Sequence, residues 1–120
     1  MSRKATTKLR LTRRALADFA AVLEYSTEHW GKRSAEKNLA DLEAGLERIR
    51  QHPDLLQSLP DLPALLSFYR VNKHLFVCDS RPGAIIVLTV IHASMDVPRR
   101  LAELQPTLAA EVALLHDRLS

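Results

Sequence analysis

The stretch SFYRVNKHLFVCDSRPGAIIVLTVIHASMD, Ser67–Asp96, holds the three best strand candidates of the chain, joined by short turns. Leu65–Val71 sets aromatic and β-branched residues around Arg70. Asn72–Lys73 has the composition of a tight turn, and His74–Asp79 (HLFVCD) reads as the second strand. Ser80–Arg81–Pro82–Gly83 is a strong turn signal. Ala84–Ile91 (AIIVLTVI) is apolar almost without interruption, the pattern of a strand central in a sheet or buried on both faces. Short connections between three consecutive strands predict an antiparallel meander.

Upstream of the meander the pattern changes to a helical period. Lys8–Leu11 (KLRL) alternates polar and apolar like a short half-buried strand, and Thr12 is a good N-cap type. Leu16, Phe19, Ala20 and Leu23 recur at i, i+3, i+4 and i+7, which predicts an amphipathic helix from Arg13 to His29 or Trp30 with that stripe inward. Gly31 is placed to end it with a left-handed residue, and Trp30 is expected to fold back as an apolar plug. Ala35, Leu39, Leu42, Leu46 and Ile49 step by 4, 3, 4 and 3, the seam of a second helix beginning near Lys32. The two helices read as an antiparallel αα-hairpin stopped at His52–Pro53. Pro53–Pro63 is a connecting loop whose leucines should pack onto the core.

Downstream, Asp96 is placed to cap a helix with Pro98 in its first turn, carried on by Leu101 and Leu104. After Pro106, Leu108, Val112, Leu115 and Leu119 predict a further helix with an apolar stripe. The chain of 120 residues therefore divides into a basic N-terminus over 1–7, one α+β domain over 8–104 and a helical extension of that domain over 105–120.

Composition narrows the function classes. With 47% hydrophobic and 26% charged residues the chain has the balance of a soluble globular domain. No apolar run reaches membrane-spanning length, and no apolar segment follows the basic N-terminus as a secretory signal requires. One cysteine, Cys78, leaves no intramolecular disulfide and suits a reducing cytoplasm. The net charge is only +3, yet Arg3, Lys4, Lys8, Arg10, Arg13 and Arg14 precede the first acid, Asp18. Such a cluster favours an anionic partner.

Motifs of established chemistry are scarce. The five histidines lack HExxH spacing, and no CxxC pair exists. Three glycines leave little material for a phosphate-cradling loop, and Cys78 lies mid-strand among apolar residues as a small hydrophobe does. No metal or cofactor is expected. The exception is the polar set at the meander ends: Arg70, Lys73, His74 and His92. An arginine with a histidine that titrates near neutrality binds phosphate and moves protons. The end of the third strand lies beside or opposite the other two depending on register. On the residues alone, a capping His92 and a surface Arg70 is the favoured reading.

The order of strand, αα-hairpin, proline-containing loop, meander and terminal segment resembles the RelE/ParE superfamily of bacterial type II toxins, and its ParE branch most closely. The resemblance rests on Leu11–Leu55, on NKHLFVCD and on IIVLTVIHASMD, and spans about Lys8 to Leu104. It implies an N-terminal strand and αα-hairpin packed on an antiparallel three- to four-stranded sheet. It also implies a toxin that inhibits DNA gyrase by binding and is neutralised by a cognate antitoxin in a hetero-oligomer, with no membrane role and no sequence-specific DNA binding of its own. The expected contact residues are Arg10, Arg13, Arg14, Arg70, Lys73, His74, His92, Arg99 and Arg100. RelE-like relatives instead cleave mRNA on the ribosome, and Arg70 and His92 best match their catalytic residues. A toxin-like module that keeps only partner binding is the third alternative. Cys78–Asp79 and Ala93–Ser94–Met95 stand where relatives commonly carry arginine or aromatic residues.

Overall fold

The computed structural model describes residues 7–59, 66–94 and 96–104. The expected termini at 1–6 and 105–120 lie outside the described residues, as does the loop from 60 to 65. The elements are β1 (Lys8–Leu11), α1 (Arg13–Trp30), α2 (Lys32–Gln51), a 3-10 turn at Pro53–Leu55, β2 (Ser67–Val71), β3 (His74–Arg81) and β4 (Ala84–His92). Residues 97–104 are helical.

The strands form one sheet in the order β1-β4-β3-β2. The meander is antiparallel, as its short turns require, while β1 joins β4 in parallel, so the sheet is mixed. The turns use positive φ at Asn72 (55°) and at Gly83 (77°). β4 is central, and Ile85 through Ile91 are all buried. Ile85, Val87 and Val90 join the cluster beneath the αα-hairpin, with Ala15, Leu42, Ile49, Val71 and Phe76. Ile86, Leu88 and Ile91 face the other way and meet Phe68, Val77, Leu101 and Leu104. Each of the Val, Leu, Ile and Phe side chains among them contributes about 1.5–3 kcal/mol of transfer free energy when fully buried. The second face is therefore closed by the chain itself, by the helix over 97–104 together with Leu59 and Leu66.

On both faces of β4 the alternation takes a step of three, Val87 to Val90 and Leu88 to Ile91. The cause is a β-bulge: Val77 pairs with Thr89 but Cys78 pairs with Val87, which leaves Leu88 as the extra residue.

The αα-hairpin keeps the predicted bounds but not all of the predicted packing. The seam of α2 is as expected, with Ala35, Leu42 and Ile49 buried. On α1 the inward face is Ala15, Phe19, Val22 and Ser26, whereas Leu16 is 54% exposed and Ala20 and Leu23 also face solvent. Trp30 is 69% exposed and plugs nothing. The physical reason is that α1 has apolar or small residues on nearly every side, so period alone admits two faces. Gly31, with φ of 90°, ends α1 by donating its N–H to Thr27 O, and its own carbonyl accepts from Ala35 N to begin α2. Gly45 lets α2 approach the sheet, since a Cβ there would lie 2.5 Å from Val71 Cγ2. At the other end Asp96 caps the helix over 97–104 as expected, accepting from Arg99 N at 3.2 Å.

Candidate functional site

Register settles where the meander ends lie. Val71 pairs with His74, and His74 pairs with His92, so the end of β2, the start of β3 and the end of β4 share one end of the sheet. Ala93 N donates to Lys73 O at 2.7 Å, tying the segment after β4 to the β2–β3 turn. Four of the expected contact residues, Arg70, Lys73, His74 and His92, thus gather at this end.

They do not gather on one face. His74 and His92 align with Val71, on the hairpin side. Arg70 aligns with Leu75 and Ile91, on the opposite side. Arg70 is also on edge strand β2, two strands from His92, roughly 10 Å at ordinary strand spacing. Side chains alternate across a strand, so one residue of offset turns Arg70 away from the imidazoles. Arg70 and His92 therefore share an end of the sheet but not a face.

The two imidazoles do meet. Their centroids lie 5.3 Å apart at 84°, an edge-to-face contact. Ser94 holds His92, with its N 3.1 Å and its Oγ 2.7 Å from His92 Nδ1. His74 Nδ1 is buried and has no hydrogen-bond partner among the described residues. Burial, and secondarily the neighbouring His92, lowers the His74 pKa below the ordinary histidine value. Burial thus favours the neutral form of His74, at the sheet end that also carries the cationic rim. On that rim Arg70 Nε donates to Asn72 O at 2.8 Å, and Lys73 is exposed. Asn72 reaches across to α2, donating to Asp41 Oδ2 at 3.1 Å.

The other expected contact residues lie elsewhere. Arg10 is exposed on β1, the edge opposite β2, about 14 Å away across the sheet. Arg13 opens α1 beside it, and Arg14 lies 3.6 Å from Asp18. Arg99 and Arg100 are on the second-face helix and share Glu103, at 3.8 and 3.5 Å. The nine residues form three separate groups.

A polar site of a different kind sits under the start of α1. Thr12 is fully buried; its N–H donates to Val87 O at 3.1 Å and its Oγ1 to Leu88 O at 2.6 Å. The same Oγ1 accepts from Ala15 N, capping α1. Asp18 accepts from Val90 N at 3.0 Å and from the Thr89 hydroxyl. Together Thr12 and Asp18 supply partners to backbone groups of β4 at and beyond the point where its pairing with β1 ends. Sequence reasoning named Thr12 only as a cap and passed over Asp18. The available signal was that Asp18 is the first acid of the chain and lies on the same helical arc as Ala15 and Val22. Cys78 is buried, and burial pushes its thiol pKa far up, so it is an inert core residue.

Among the described residues no helix is long and apolar enough to cross a membrane. Comparison with known proteins gives a consistent result. Residues 9–97 match the family model described as the ParE toxin of the type II toxin–antitoxin system parDE. A toxin ParE of Escherichia coli is 29% identical over 94 residues, covering 78% of this chain and 91% of the relative. Toxin ParE1 of Caulobacter vibrioides is 32% identical over 93 residues, covering 77% of this chain and 95% of the relative. Among solved structures, a chain of the chromosomal ParDE system from P. aeruginosa superposes with a TM-score of 0.66 at 16% identity, covering 76% of this chain and all of that one, a likeness of fold. The order of elements, the mixed sheet under an αα-hairpin and the matched segment agree: this chain belongs to the ParE toxin family of type II toxin–antitoxin systems.

Proposed function

We propose that the chain inhibits DNA gyrase, and with it replication, by binding rather than by catalysis, and that a cognate antitoxin neutralises it in a cytoplasmic toxin–antitoxin hetero-oligomer. The match to the ParE family along residues 9–97 carries this reading. The register of the meander supports its non-catalytic half, because Arg70 and His92 leave on opposite faces and no shared phosphate-and-proton site forms between them. A His74 whose neutral form is favoured by burial and a Ser94-held His92 suit a docking surface, where shape and charge matter more than proton transfer.

The proposed contact surfaces are the three cationic groups. Arg70 and Lys73, flanked by His74 and His92, form the sheet-end rim. Arg10, Arg13 and Arg14 form the β1–α1 corner, and Arg99 with Arg100 marks the second-face helix. Cationic groups of this kind speed encounter with an acidic protein surface more than they add affinity.

Expression of the chain in a growing bacterium tests the function. Filamentation with DNA damage and intact mRNA is the expected outcome, relieved by co-expression of the antitoxin. Rapid translation arrest with codon-linked mRNA cuts would replace it with the RelE-like reading. Absence of any growth defect would leave partner binding alone.

A further inference from the structure

The β2–β3 turn is tied to α2, to β2 and to the segment after β4. Asn72 sits at φ 55°, in the left-handed region, and its side chain donates to Asp41 Oδ2 of α2 at 3.1 Å. Lys73 O accepts from Ala93 N at 2.7 Å. Asn72 O accepts from Arg70 Nε at 2.8 Å. A main-chain carbonyl thus holds the guanidinium in place without neutralising it. That sets Arg70 apart from arginines whose charge is spent within the domain. Arg14, Arg50, Arg81, Arg99 and Arg100 each lie against a carboxylate. Among the described residues no carboxylate pairs with Arg70, which is exposed. Asp41 belongs to α2 on the hairpin side and has Lys37 Nζ 3.7 Å away, whereas Arg70 aligns with the opposite side. Glu103, on the helix over that opposite side, is shared by Arg99 and Arg100.

With Nε engaged, the two terminal nitrogens of Arg70 remain, a planar fork that matches the two oxygens of one carboxylate. We infer that Arg70 is a binding site for a single carboxylate, an acidic side chain of the protein partner, and that Asp41, acting through Asn72, is its positioning residue. This rests on the docking function proposed above and adds to it the ligand group and the residues that orient its receptor. A fork already held at Nε loses less freedom on binding than a loose arginine does. A nucleic-acid backbone is followed by a row of cations, one for each phosphate neutralised. The β2–β3 turn adds Lys73 alone to Arg70, and the β1–α1 corner lies at the opposite edge of the sheet. One carboxylate is the ligand that this arrangement fits.

Surface plasmon resonance of the full chain over immobilised gyrase, without DNA, tests this. Arg70→Lys keeps the charge but not the fork, and should weaken binding several-fold, about as much as Arg70→Ala. Asp41→Ala should weaken binding when Arg70 is present and add nothing to Arg70→Lys. Asp41→Asn keeps an acceptor for Asn72 and should rescue the loss. Full affinity in Arg70→Lys would reduce Arg70 to a point charge and overturn the inference, as would additive effects of Asp41→Ala and Arg70→Lys. Binding that needs DNA would assign Arg70 to a phosphate and overturn it too. The Arg70 Nε–H signal in 15N NMR separates this inference from the choice of target. Its hydrogen exchange should be slower in the wild type and Asp41→Asn than in Asp41→Ala, and acetate at fixed ionic strength should shift it. Gyrase that captures no chain, with those signals as expected, sinks the proposed target and supports the carboxylate fork. An Nε–H indifferent to Asp41→Ala or to acetate overturns the fork whatever gyrase does.

Discussion

Strand β4 carries polar groups in two places, and the two are handled in opposite ways. At its bulge, Thr12 and Asp18 supply partners to Val87 O, Leu88 O, Val90 N and the Thr89 hydroxyl. At its end, His92 meets an imidazole whose Nδ1 has no partner among the described residues, at the sheet end that also carries exposed Arg70 and Lys73. The first place spends its polar groups on holding the fold. The second keeps them near the surface, at the end of the sheet proposed as a docking surface. A buried polar network is worth having only when it is complete, and the bulge is complete where the sheet end is not.

Breaking the bulge should have the largest effect. Asp18→Ala removes the acceptor of Val90 N and of Thr89 Oγ1 in a partly buried setting, and should lower unfolding free energy by ~2–3 kcal/mol in urea titration. A loss no larger than that of an exposed alanine substitution would show that the bulge does not need its carboxylate.

Next comes Gly45→Ala, which presses on Val71, the cross-strand neighbour of His74. Overpacking of about 1–3 kcal/mol is partly offset by about 1 kcal/mol of helix propensity, leaving a net destabilisation on the order of 1 kcal/mol by the same titration. A stabilised variant would mean that Val71 re-seats freely and that the sheet end is looser than the bulge.

The sheet end should reveal itself through pH. The His74 pKa is lowered in the folded state, so the unfolded chain binds more protons as pH falls through the ordinary histidine range. Its contribution is intact at neutral pH and above, and stability should decline as pH drops below about 6.5 towards the depressed folded value. Replacing His74 with Phe should flatten that slope while Asp18→Ala leaves it in place. An unchanged slope in the His74 variant would assign the pH dependence elsewhere.

The smallest stability effect should follow Arg70→Ala with Lys73→Ala. Both residues are exposed, and unfolding free energy should shift by no more than ~0.5 kcal/mol. A larger loss would move Arg70 from docking surface to structural support, through its bond to Asn72 O.

Much of this was legible in the sequence, and the gaps have physical causes. Ala84–Ile91 declared a central strand because burial on both faces removes the polar alternation, and Asn72–Lys73 and Ser80–Arg81–Pro82–Gly83 marked both turns by residue type, although β3 runs on to Arg81 and leaves Pro82–Gly83 as the second turn. The inward face of α1 was misjudged because Leu16, Ala20 and Leu23 form a second apolar row beside the true one, and periodicity does not say which row a core selects. The bulge left no trace in composition, since an extra Leu88 in an apolar run looks like any other residue. The sheet-end residues were found by type, with Arg70 and His74 placed at one end and the end that His92 occupies left to register. Their faces depended on register, which one residue of slip would have inverted.

The central claim is that this toxin acts on gyrase through a docking surface, and gyrase supercoiling in vitro tests it most directly. Purified chain added to gyrase, relaxed plasmid and ATP should abolish supercoiling. The Arg70→Glu, Lys73→Glu double variant should inhibit less while keeping its thermal midpoint. Full supercoiling in the presence of the wild-type chain would contradict the claim, and equal inhibition by the double variant would remove the sheet end from it.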